Sequence, residues 1–250
     1  MKSKLASGLA ILLIAAWWTP TAWSQDDEVD LGEVIEAKID ELDEASKEGP
    51  VADILTELIE LYKKSDEKRD KQDIAKAIAE TMGSRNQDVR LAAAGALADL
   101  GEDGAKMLRA GLRKVRKDPE LAIKVVESMG KNGDLSLMPE LMKLLNDKEF
   151  VIIKTAAASL GAYEGSKIPY RIKIVDAILK VYTSTENQVN SDPRNNVARE
   201  KLNMIQVDMN STLAKLTGQS LGSADAYRQW FGEAKKNPRA WPKEKEDGDS

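Results

Sequence analysis

The chain contains neither cysteine nor histidine. Without thiols it has no disulfide framework and no thiolate nucleophile, and without imidazole it has no histidine base. Together the two absences remove c-type haem attachment and the usual His/Cys zinc sites. Aromatic residues are only 5% of the 250, and three of the five tryptophans, Trp17, Trp18 and Trp23, precede residue 25. No glycine-rich phosphate loop occurs, nor a calcium loop with its glycine and closing glutamate. After the first 24 residues, no stretch alternates apolar and polar positions as a half-buried strand does. What is present, 42% hydrophobic and 32% charged residues, is the balance of an ordered globular chain.

The first 24 residues have three parts: Lys2 and Lys4, an apolar run from Leu5 to Trp18, and Ala22-Trp23-Ser24 before Gln25. The run is shorter than the roughly 20 residues a membrane-spanning helix needs. Small residues at Ala22 and Ser24 fit cleavage of a secretory signal peptide. The expectation is an exported chain, periplasmic or secreted, that begins at Gln25 and keeps no transmembrane anchor. Loss of Lys2 and Lys4 leaves 35 basic residues against 42 acids, a net charge of about −7. A generic nucleic-acid binder shows the opposite balance, so no specific nucleic acid is expected. The charge is uneven. Asp26 to Glu48 holds eleven acids and two lysines, and Lys106 to Lys117 holds six basic residues and no acid.

The remaining chain follows the helical period. Val51, Ile54, Leu55, Leu58 and Tyr62 share one helical face, as do Ile74, Ile78 and Met82. Val89, Ala92, Ala93, Ala96, Leu97 and Leu100 form another, with Asp88 placed as N-cap and Gly101 as stop. Leu100-Gly101, Met129-Gly130 and Leu160-Gly161 recur 29 and 31 residues apart, each in the place of a helix end. A period near 30 predicts stacked helix pairs. Pro139 and Pro169 fall in opening turns, and Asp118-Pro119 gives the favoured order of cap and first residue.

At these residues the chain resembles bacterial HEAT-like repeats of the type found in phycobilisome-lyase relatives. The matching stretches are DVRLAAAGALADLGEDGAKML, DPELAIKVVESMGKNGDLSLMPELMKLLND and KEFVIIKTAAASLGAYEGSKIP. The resemblance covers about residues 50–185 and implies an all-α, right-handed α-solenoid of stacked helix pairs. A second resemblance follows: LAKLTGQSLGSADAYRQWFGEAKKNP is similar to the closing segment of secreted bacterial HEAT-repeat proteins. Val197 to Leu216 reads as a long helix with Leu202, Ile205, Met209, Leu213 and Leu216 inward, and the resemblance implies that Gly218 stops it. Ser223 then caps a short helix whose Tyr227, Trp230 and Phe231 pack back on the stack. The expected organisation is a signal peptide (1–24), an acidic, partly helical segment (25–49), helical repeats (50–217), a C-terminal cap (218–237) and a disordered charged tail (238–250).

Catalytic patterns are sparse. Ser65 and Lys68 have the Ser-x-x-Lys spacing of penicillin-binding enzymes, but the companion motifs are missing and Ser65 reads as an N-cap. Asn210-Ser211-Thr212 matches a glycosylation sequon inside a predicted helix. The carboxylates of Asp26-Asp27-Glu28 and Glu246 to Asp249 lack metal-loop spacing. No cofactor, metal or catalytic activity is expected. The feature with geometry behind it is a basic stripe. Lys106, Arg109, Arg113, Arg116 and Lys117 fall on one helix side, next to Ala105, Leu108, Leu112 and Val115 on the buried side. It predicts binding of a protein partner, or alternatively of an acidic polymer or anionic envelope surface. Two plainer roles stay open: a solvated face, and internal pairing with the acidic 26–48 segment.

Overall fold

The computed structural model describes residues 30–244. The predicted leader, Asp26-Asp27-Glu28 and the end of the predicted tail, 245–250, lie outside the described residues. Among the described residues there are eleven α-helices and no strand: α1 (Leu31–Glu48), α2 (Ala52–Lys64), α3 (Lys68–Thr81), α4 (Gln87–Ala96), α5 (Gly101–Lys114), α6 (Pro119–Asn132), α7 (Met138–Leu144), α8 (Phe150–Leu160), α9 (Ile168–Ser191), α10 (Asn196–Thr217) and α11 (Ala224–Ala234). The described part of the chain is all-helical.

The helices form two rows. In one, α2, α4, α6, α8 and α10 each pack on the next; the other holds α1, α3 and α5, then α7, α9 and α11. The rows meet through α1 on α2, α3 on α4, α5 on α6, α7 on α8 and α9 on α10. The core lies between them, where Leu58, Ile74, Ile78, Leu97, Leu108, Val125, Leu141, Ile153, Ile178 and Leu213 are wholly buried. Each such side chain contributes about 1.5–3 kcal/mol of transfer free energy, so two apolar helix faces pressed together hold the rows.

Several local expectations are corrected. The N-cap of α4 is Asn86, whose side chain accepts from the Asp88 amide at 2.9 Å. Ser65 follows α2 instead of capping α3, and it is buried: its Oγ donates to Asp70 at 2.9 Å and accepts from the Glu67 amide. The three recurring glycines do three different things. Gly101 has φ 47°, a left-handed junction that opens α5. Gly130 lies inside α6, which runs on to a left-handed cap at Gly133. It lets α6 approach α8, because a Cβ there would sit 2.6 Å from the Ser159 Cβ. Gly161 keeps right-handed geometry and passes α8 straight into a 3₁₀ turn. The prolines do as expected: Pro119, Pro139 and Pro169 all lie in first turns.

Both ends are more ordered than the composition suggests. The acidic segment is helical throughout 31–48, and it buries Ile35 and Leu42 against α2 and α3. At the other end, Gly218 (φ 69°) stops α10, Ser223 caps α11, and Tyr227 and Phe231 are buried. Residues 238–244, predicted as part of a tail, pack on the fold. Trp241 is 6% exposed, donates from Nε1 to the Ala234 carbonyl at 2.9 Å and meets Trp230 and Phe231 edge-on. Beside it lies the wholly buried Arg171, which donates to the Pro242 carbonyl at 2.7 Å and stands 5.7 Å from the Trp241 ring. Burial lowers the Arg171 pKa from its ordinary value, and Glu244 opposes that shift. Glu244 also accepts the Ile168 amide at 2.9 Å, capping α9. A lone tryptophan in a charged stretch has no period to read, so this strap was hidden in the sequence.

Candidate functional site

The basic stripe lies on α5. Glu102 and Asp103 in the first turn and Arg113 and Lys114 in the last complement the helix dipole. Gly104, Ala105, Leu108, Gly111 and Leu112 turn inward. Two of them are glycines for steric reasons: a Cβ at 104 would sit 2.0 Å from the Leu97 carbonyl, and one at 111 would sit 2.7 Å from the Met82 Cε. The helix is therefore pressed against its neighbours on one side and presents cations on the other.

The five predicted residues do not act alike. Lys106 is paired within its own helix, to Glu102 at 2.9 Å and Asp103 at 3.6 Å. Its hydrogen bond to Glu102 raises its pKa above the usual lysine value. Arg109 donates to the Ser136 carbonyl, ahead of α7. Arg116 is bonded to Asp147, whose side chain is only 4% exposed and also accepts the Glu149 amide before α8. These two arginines tie α5 to the ends of α7. Arg113 and Lys117 are exposed and make no ion pair or hydrogen bond among the described residues. Lys114, which the predicted stripe omits, is exposed and unpaired in the same way. The acidic α1 does not cover the stripe: it packs on α2 and α3, and its Lys38 pairs with Glu41 and Glu57, both at 2.6 Å.

A groove of about 520 Å³ runs between α1 and α3. Asp30, Glu33, Glu36, Asp40, Asp70, Asp73 and Glu80 line it, against only Arg69 and Lys76 as cations. The composition shows the acids of α1 but not that α3 adds three more. A second groove, about 620 Å³ between α9 and α11, is lined by Thr183, Ser184, Asn187, Gln188 and Arg228. Among the described residues, no group of three or more acidic side chains could hold a metal ion. No described helix is long and apolar enough to cross a membrane. Comparison with known proteins finds no matching family model, no matching curated protein and no matching solved structure.

Proposed function

We propose that the chain is an exported, non-catalytic α-solenoid scaffold of HEAT-like helix pairs that holds an acidic protein partner against α5. The observation that carries this reading is the set Arg113, Lys114 and Lys117, three cations left unpaired among the described residues at the end of α5 and in the turn after it, where Lys106, Arg109 and Arg116 are engaged. Two rows of helices that touch mainly their neighbours in order support a solenoid, with α5 in the row that also holds α1 and α3. The mechanism is charge and shape complementarity: exposed cations steer an acidic surface to the face, and close packing fixes it there.

Arg109 and Arg116 hold structure, so reversing them would damage the scaffold along with the surface. The test is therefore Arg113→Glu with Lys117→Glu. Wild-type chain immobilised at low salt should retain an acidic protein from envelope extract, and the double variant should lose it. Retention should fall steeply above about 0.15 M salt, where screening acts within roughly 8 Å. Equal capture by the variant at both salts would remove α5 from the site. Binding of polyglutamate alone, with no protein retained, would favour an anionic polymer as ligand.

A further inference from the structure

The exposed side of α1, α3 and α5 carries an ordered change of charge. On α1, Glu33, Glu36, Asp40, Glu41, Asp43 and Glu44 are exposed. On α3, the exposed charges nearly cancel: Arg69 pairs with Asp73 at 3.6 Å and Lys76 with Glu80 at 3.9 Å, which leaves Lys68 in excess. On α5 and the turn after it, Lys106, Arg113, Lys114, Arg116 and Lys117 are exposed. The face therefore runs from acidic through nearly neutral to basic.

The three helices run the same way. Ser84, after α3, donates from its Oγ to the Ser46 carbonyl near the end of α1 at 2.7 Å. Met82 packs on Gly111 toward the end of α5. The C-terminal ends of α1, α3 and α5 thus lie at one edge.

We propose that this face docks a second copy of the chain in a two-fold dimer, with α5 of each copy lying along α1 of the other. The two-fold axis runs along α3 in the plane of contact. It brings α3 against α3, lays each α5 parallel to the partner copy's α1, and makes both acid–base contacts at once, as an isologous interface requires. This rests on the reading of α5 as a contact surface and names one occupant for it. Acidic α1 does not cover the stripe within its own chain. Across the dimer the same two surfaces meet.

The expected dimer is weak. Three helices about 9 Å apart and about 20 Å long present on the order of 500 Å² per copy. Stable complexes bury about 800 Å² per partner. Self-association should therefore be salt-sensitive and appear only at high protein concentration.

The test is sedimentation velocity on the whole chain over a concentration series, at low salt and at 0.5 M salt. It uses two charge reversals at exposed positions, Asp40→Lys with Glu44→Lys, and Arg113→Glu with Lys117→Glu. Wild type should dimerise at low salt only. Each variant alone should dimerise at least about tenfold more weakly, since like charges then face each other. An equal mixture of the two should dimerise again, because both contacts in the mixed pair join opposite signs. Circular dichroism of each variant checks its folding, and the single changes Asp40→Lys and Arg113→Glu serve if a double variant is unfolded. A wild type that stays monomeric, or a mixture that fails to associate, overturns the proposal. If that wild type still captures an acidic partner through Arg113 and Lys117, the scaffold reading stands and only the dimer falls.

Discussion

Glycine shows most clearly what a single position reveals. In the sequence Gly130 looks like a helix stop, because glycine favours both helix ends and close contacts, and both appear as the same missing side chain. The two uses have opposite consequences when a methyl is added. Gly130→Ala should destabilise by about 1–3 kcal/mol, since its Cβ would fall 2.8 Å from the Ser159 Cα, backbone that cannot move aside. Gly232→Ala, in exposed α11 with nothing within 4 Å, should stabilise by about 0.5–1 kcal/mol through reduced chain entropy. Urea midpoints of the two variants check this. A neutral Gly130→Ala would mean that α6 and α8 stand further apart. Tyr62 gives a pH signature. Its hydroxyl donates to the Leu100 carbonyl at 2.7 Å, and burial, with Asp103 adding to it, pushes its pKa from 10.0 up to about 12. A raised folded pKa adds stability that is complete below pH 10 and lost as the pH passes 12. Tyr62→Phe should cost about 0.5–1.5 kcal/mol at pH 8, and its gap to wild type should close between pH 10 and 12. A constant gap would show that folding does not raise the Tyr62 pKa.

At the scale of elements, apolar periodicity made α2, α3 and α10 legible, because each buries one continuous stripe: Ile205, Met209, Leu213 and Leu216 in α10, for example. Periodicity fails where an element is fixed by one large side chain or by charge. The strap at 241–244 is held by Trp241 and by main-chain groups bonded to Arg171, and none of this leaves a pattern. In α1, acids outnumber the apolar stripe of Ile35, Ile39 and Leu42, which hid the inner face of a well-packed helix. Trp241→Ala should cost about 3 kcal/mol, the lower end for a buried aromatic. At about 2–4 °C per kcal/mol for a chain of this size, the thermal midpoint should fall by roughly 6–12 °C. Calorimetry decides this, and an unchanged midpoint would return 241–244 to the status of a tail.

For the whole molecule, the repeat period predicts stacked helix pairs, but it could not show what lies along the faces of the two helix rows. Each helix carries its own apolar stripe, so the sequence shows the helices one at a time. The charge gradient from α1 to α5 exists only once α1, α3 and α5 lie side by side, and the sequence separates the first from the last by more than fifty residues. The same neighbour-only packing governs how the molecule opens. Helices α6 and α8 are covered on both sides of their row, by α4 and α8 and by α6 and α10, whereas α1 and α11 end theirs. In a stack stabilised by nearest-neighbour interfaces, the ends open at lower free energy than the middle. Native-state hydrogen exchange should therefore find the slowest amides in α6 and α8 and faster exchange toward α1. Faster exchange is also expected in α11, where Trp241→Ala should speed it further without changing α6. Uniform protection from α1 to α11 would mean that the helices unfold as one cooperative globule, and the solenoid reading would then fail.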